Sequence, residues 1–261
     1  MPRAWIAAVF LMLPSAWAQP AIAPPLLGFL EDSASALRPA YGVSGNFILG
    51  PPVASKIVSV AFSGSIGMLK TDSSLAAFDS TGKLLASLDT AYGPALFAFS
   101  PAGTTALVFI ASTNQLVEWR GSTFAPLEFH DQEVAASAVL AIAFPTPFEA
   151  SLIVQRKDTV WEVEVPLGAA GIGSQKALMG VRAPVLALPS GQLVYRDAAG
   201  IVVRSPDGPD VHIAASLPRS FSLQQMNQDW VQLTDLNSSA HFAIHTAAGR
   251  EGFYQLPEST R

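Results

Sequence analysis

A unit repeated at intervals of about forty residues constrains this chain more than any other feature of its sequence. The unit is an apolar strand that ends on a large side chain and runs into a turn. It appears as Val58-Ser59-Val60-Ala61-Phe62-Ser63-Gly64, Leu96-Phe97-Ala98-Phe99-Ser100-Pro101-Ala102-Gly103, Leu140-Ala141-Ile142-Ala143-Phe144-Pro145 and Val185-Leu186-Ala187-Leu188-Pro189-Ser190-Gly191, with a degenerate copy ending at Met226. The anchors Phe62, Phe99, Phe144, Leu188 and Met226 are 37, 45, 44 and 38 residues apart. Four short strands with their turns fill about 40 to 50 residues, so each interval holds one small sheet.

A second unit keeps the same phase, as strand, polar turn, strand. Its clearest copy is Leu75 to Leu85, with Thr81-Gly82 at the turn. Weaker copies run over Leu116 to Phe124, Val160 to Val165, Ile201 to Val211 and Phe242 to Phe253, and a sixth over Leu27 to Tyr41. With 20 prolines, 19 glycines and 50% hydrophobic residues, the composition excludes disorder and disfavours long helices. Such sheets carry apolar residues on both faces and bury them only against neighbours; closing the row into a ring leaves no face exposed. The fold class expected is therefore all-β, a β-propeller of five or six four-stranded blades. A two-sheet β-sandwich is the alternative, since short strands with regular turns suit it too. Leu27 to Tyr41, read as the outer hairpin of the closing blade, would place the N-terminal part beside Phe253 and Tyr254.

Ala98-Phe99-Ser100-Pro101-Ala102-Gly103 followed by Ala106-Leu107-Val108-Phe109, and Phe78-Asp79-Ser80-Thr81-Gly82-Lys83-Leu84, resemble the inner-strand and outer-hairpin motifs of bacterial exported WD-repeat-like and YVTN-type β-propellers. The resemblance covers residues 55 to 257. The Gly-His and Trp-Asp dipeptides of true WD repeats are missing, and Ala102-Gly103 replaces the usual Asp-Gly turn.

Residues 1–18 have a secretory signal layout: Arg3, an apolar run from Ala4 to Leu13, then Ala16-Trp17-Ala18 before Gln19. Cleavage after Ala18 is expected, leaving residues 19–261 as one propeller domain with an N-terminal closing segment over 26–50 and repeated blades over 55–257. The expected location is periplasmic or extracellular, with no membrane insertion after cleavage. A formal charge of −5 and a charged fraction of 13% provide no basic stripe for nucleic acid.

The chain has no cysteine, which excludes thiol nucleophiles and thiolate metal sites. It has no G-x-S-x-G, P-loop or H-E-x-x-H segment, and Gly168 to Gly173 departs from the dinucleotide fingerprint, so no cofactor and no metal are expected. His241 and His245 alternate with Phe242 and Ile244 as in a strand, about 13 Å apart at roughly 3.3 Å per residue, too far to share one ion. They read as a solvated face, with Phe242 and Ile244 turned to the core. Asp72, Asn114, Arg156 to Asp158, Arg196, Asp197, Asp235 and Asn237 fall between the second and third strands of successive units, where turn chemistry explains Asp and Asn.

His130-Asp131-Gln132-Glu133 is the densest polar group and precedes the third inner strand. The loops leading into inner strands carry Tyr92, His130, Asp131, Arg182 and Arg219, an aromatic and two guanidinium groups of the kind that anchor interfaces, with a small acidic cluster. These five are the expected binding residues, and no catalytic residue is named. The function expected is an exported, non-enzymatic scaffold, monomeric, that binds a protein, peptide or glycan through loops on one face. A propeller hydrolase or lyase, with a polar site at the channel mouth, is the alternative.

Overall fold

The computed structural model describes residues 24–257 apart from 33, 65, 81, 128–133, 135–136, 147, 168–171 and 239. The expected signal segment, His130 and Asp131 therefore lie outside the described residues. Among the described residues, twenty-four strands form six four-stranded antiparallel sheets, a β-propeller rather than a sandwich. Blade 1 contains β1 (Leu26–Glu31), β2 (Ala36–Val43), β3 (Asn46–Leu49) and β4 (Ala54–Ser55). Blade 2 contains β5 (Ser59–Ser63), β6 (Ile66–Lys70), β7 (Ser74–Asp79) and β8 (Leu84–Asp89), and blade 3 contains β9 (Ala95–Phe99), β10 (Thr105–Ile110), β11 (Gln115–Arg120) and β12 (Thr123–Leu127). Blade 4 contains β13 (Ala138–Thr146), β14 (Glu149–Arg156), β15 (Thr159–Pro166) and β16 (Gln175–Ala177). Blade 5 contains β17 (Val185–Ala187), β18 (Leu193–Arg196), β19 (Gly200–Arg204) and β20 (Val211–Ala214). Blade 6 contains β21 (Phe221–Gln225), β22 (Trp230–Asp235), β23 (His241–His245) and β24 (Gly252–Gln255).

The five repeat anchors sit at or just past the ends of inner strands and are all buried, Phe99 and Met226 completely. Each fills the seam with a neighbouring blade. Phe99 packs with Met68, Leu75 and Trp119, while Phe144 packs with Leu107, Phe109 and Leu152. The spacing is legible in the sequence because a large apolar residue is needed once per blade at this place.

The N-terminal part behaves differently from the expected outer hairpin. It forms its own sheet, and blade 6 supplies all four of its own strands. In blade 1, β2 pairs with β1 on one edge and with β3 and β4 in turn on the other, the outer strand being interrupted at Gly50-Pro51-Pro52, where proline has no N–H for the ladder. The side chain of Asn227 bonds the Leu27 carbonyl, and that of Gln232 bonds both backbone groups of Glu31. Sequence order thus rises together along β1 and β22, so β1 runs with the second strand of blade 6, not with its first.

Blade 1 accordingly has second, third and fourth strands but no inner one. The inner positions are taken by β5, β9, β13, β17 and β21, which follow one another around the axis, and β21 lies directly against β5. Blade 1 is wedged behind that contact. It packs Leu30, Ala40 and Phe47 against Met226, Trp230 and Ala243 of blade 6, and Leu37 and Phe29 against Val60 and Phe62 of blade 2. Gly28, at φ 149°, allows the approach: a Cβ there would stand 2.5 Å from the Met226 carbonyl oxygen.

The histidines of β23 also depart from expectation. Both are buried, because β23 lies inside a sheet packed on both faces, and Phe242 rather than either imidazole is the partly exposed ring. Phe242 and Ile244 do face a core, the one shared with blade 5. His241 and His245 face the other way: His245 lies 4.4 Å from the Trp230 ring, and its Nδ1 donates to the Arg250 carbonyl at 2.6 Å.

Candidate functional site

Loops leading into inner strands and turns between second and third strands emerge on one side of the disc, since alternate connections of an up-and-down sheet share an end. This mouth face holds the turns 71–73, 111–114, 157–158, 197–199 and 236–238. Asn114 and Lys157 sit there at φ 48° and 53°, a left-handed conformation that Asn tolerates well. The opposite face holds the turns between first and second and between third and fourth strands.

Tyr92 stands in the β8–β9 connection with 73% of its surface exposed. Arg182 and Arg219 are exposed in the connections leading to β17 and β21. Tyr92, Arg182 and Arg219 therefore share a face but not a site. Arg219 lines a recess of about 500 Å³ at the channel mouth, and Ala183 beside Arg182 lines it as well. Tyr92 is not among its lining residues.

The recess lies at the start of β17, a strand of only three residues, between β13 and β21. Its lining is mixed: Val139, Leu140, Pro184, Val185 and Leu223 are apolar, while Arg196, Arg219, Ser220 and Ser222 supply polar groups in nearly equal measure. The decisive residue is Arg196, which by sequence falls among the turn residues between second and third strands. It ends β18, and its guanidinium is fixed twice: Nη1 donates to the Arg219 carbonyl at 3.1 Å, and the group lies 5.6 Å from the centroid of the Phe221 ring. A signal was present, since turn chemistry accounts for Asp and Asn at that position but not for arginine.

Nearby carboxylates are occupied elsewhere. Asp197 accepts from the Ala199 and Gly200 N–H groups, both at 2.8 Å, and lies 3.0 Å from His212 Nδ1. The Ala199 bond, with those of Gly200 and His212, holds its carboxyl below the usual carboxylate range. Asp235 is held low likewise, first by the Ser238 hydroxyl and then by the Asn237 N–H. Lys70 is fully buried below the β6–β7 turn, where its ammonium donates to the Thr71 carbonyl at 2.5 Å, and burial lowers its pKa.

A second recess of about 390 Å³ opens at the seam of blades 1 and 2, lined by Phe29, Leu37, Tyr41, Val53, Phe78 and Leu84 among others. It is apolar, with Asp79 and Ser80 at one end. Among the described residues no three His, Cys, Asp or Glu side chains are grouped to hold a metal ion. The mouth recess combines apolar walls with converging polar groups, the composition expected of a binding site.

No protein-family model matches the chain, and no curated protein matches it. Solved structures share its fold. A chain from a nidogen/laminin complex is 12% identical, with a TM-score of 0.55 over 89% of this chain and 98% of that one. TolB from Acinetobacter baumannii is 16% identical, with a TM-score of 0.54 over 89% of this chain and 63% of TolB. At such identities the likeness is one of fold, and it agrees with the six-bladed β-propeller.

Proposed function

We propose that this protein is exported and serves as a non-enzymatic scaffold that captures a protein or peptide on the mouth face. The observation that carries the reading is the recess above β17, where Arg196 and Arg219 meet apolar walls and Phe221. Arginine and aromatic groups around a partly desolvated depression are the usual anchors of protein recognition. Arg196 and Phe221 sit on strand ends and Arg219 is two residues before β21, so little ordering is needed on binding. One chain of similar fold was solved in a complex of nidogen with laminin, which agrees with this use of the architecture.

The test compares the exported protein with a variant carrying Tyr92→Ala, Arg182→Ala and Arg219→Ala. All three residues are exposed, so each change alters stability by no more than about 0.5 kcal/mol. Capture of a defined partner from envelope extract should fall while dichroism stays the same; undiminished capture would place the binding surface elsewhere. Export is tested separately. The secreted protein should begin at Gln19, and material beginning at Met1 would overturn the signal reading.

A further inference from the structure

We infer that the mouth recess binds a carboxylate carried by an apolar peptide segment, a reading that rests on the scaffold function proposed above and specifies its ligand. The charge distribution points to it. The chain is acidic overall, yet among the described residues Arg182, Arg196 and Arg219 come to the mouth without an ion-pair partner and no carboxylate lines the recess. Asp197 and Asp235, the acids adjoining Arg196 and Phe221, are consumed by their own turns.

Geometry narrows the ligand further. The Arg196 guanidinium has five N–H donors, of which one goes to the Arg219 carbonyl, while Phe221 holds the plane in place. A pre-positioned planar fork with unspent donors suits the paired oxygens of a carboxylate. Val139, Leu140, Pro184, Val185 and Leu223 line the same recess and give about half of its surface an apolar character, which favours a charge attached to aliphatic side chains over a free, fully hydrated anion. The volume of about 500 Å³ lies in the range of small-ligand sites, enough for the end or a tight turn of a peptide rather than a folded domain.

Three fluorescein-labelled peptides test this: Gly-Ala-Leu-Ala-Leu with a free C-terminal carboxylate, the same peptide as its C-terminal amide, and the amide of Gly-Ala-Leu-Asp-Leu. Fluorescence anisotropy with the folded protein should show binding by the first, the third or both, at least about tenfold tighter than by the uncharged amide. Preference for the first assigns a chain terminus as the source of the carboxylate, and preference for the third an acidic side chain. Arg219→Gln should weaken the charged probes about tenfold, with Arg196→Gln at least as severe, and added salt should weaken them too. Arg219 is exposed, so its variant tests the site even if Arg196→Gln disturbs the β18 edge. Equal binding of all three peptides, no binding to the folded protein, or charged-probe binding that survives Arg219→Gln would overturn the inference. If the peptides fail while partner capture still depends on the mouth residues, the scaffold reading stands and only the ligand assignment falls.

Discussion

The seam between blades 3 and 4 and the seam between blades 6 and 1 solve the same packing problem with different chemistry. The first is mainly apolar: Ala98, Leu107, Phe109 and Leu116 meet Ile142, Phe144, Leu152 and Val154, and the one buried charge on the described part of that face of blade 3, Glu118, is paired within its own strand by Arg120. The second has an apolar part around Leu30, Phe47, Met226 and Trp230, but it also buries Gln232 and His241 and uses Asn227. Because blade 1 lacks an inner strand, the free edge of β1 presents backbone groups that no ladder satisfies. Gln232 replaces the missing strand at Glu31, accepting from its N–H at 3.3 Å and donating to its carbonyl at 2.9 Å. Apolar contact alone does not set how far along its axis a blade slides, whereas these bonds do. Polar groups thus supply register where the repeat is incomplete.

The largest expected effect lies on the apolar side of this comparison. Phe99 is completely buried in the seam of blades 2 and 3, and Phe99→Ala should cost about 3–5 kcal/mol in urea unfolding. A loss below about 1 kcal/mol would mean that these seams relax around a cavity and do not carry the fold.

Gln232→Leu tests the other side with similar volume. It leaves the Glu31 N–H and carbonyl without their side-chain partner and strips one bond from His241, for an expected loss of about 2–3 kcal/mol. Hydrogen exchange at the Glu31 amide should quicken while amides of β10 stay protected. If the variant is as stable as the parent, Trp230 and its apolar neighbours close the ring unaided.

Most of the fold was legible because it follows from one requirement, a large apolar residue per inner strand, and the positions of Phe62, Phe99, Phe144, Leu188 and Met226 express it directly. The place of blade 1 was not legible. Leu27 to Tyr41 alternates and turns like any hairpin, and nothing local says whether its first strand is an inner or a second one; only the amides of Asn227 and Gln232, about two hundred residues away, decide that. The histidines misled for a related reason. In a sheet packed on both faces a polar alternation still reads as a solvent face, although the partner that satisfies His241 is a neighbouring glutamine. The mouth site was half visible: Arg182 and Arg219 followed from loop position, while Arg196 looked like turn punctuation until Phe221 and the Arg219 carbonyl were seen to hold it.

The smallest of the effects at the closing seam is its pH dependence, since a proton reverses one contact there instead of removing several. Glu31 fixes the Gln232 amide, so its Nε2, whose second hydrogen is shared between His241 Nδ1 at 2.9 Å and Thr234 Oγ1 at 3.0 Å, faces that imidazole nitrogen as a donor. Thr234 Oγ1, 3.1 Å from the same nitrogen, fits the same arrangement as a donor. His241 is therefore neutral with its proton on Nε2, an atom buried without a hydrogen-bond partner among the described residues. Burial lowers its pKa below 6.5, with the Asp32 carboxylate pulling weakly the other way. The unfolded chain then binds the proton first as the pH drops, so stability should hold above about pH 7 and decline as the pH falls through 6.5 toward the depressed folded value. Two nearby acids bound the window. Burial would raise Asp32, but the Arg38 ion pair at 2.6 Å and the Ala36 and Ala34 N–H groups hold it below 3.8, so it stays ionised throughout. Glu31 is raised above 4.5 by burial, so its protonation near the lower end favours the folded state and opposes the His241 slope. Unfolding measured between pH 8 and about 5.5 should therefore show the decline most clearly, and His241→Asn, which keeps an acceptor near the Nδ1 position but cannot take up the proton, should flatten it. Parallel curves for the two proteins would mean that the seam accommodates an imidazolium, and that Gln232 sets register without requiring a neutral histidine beside it.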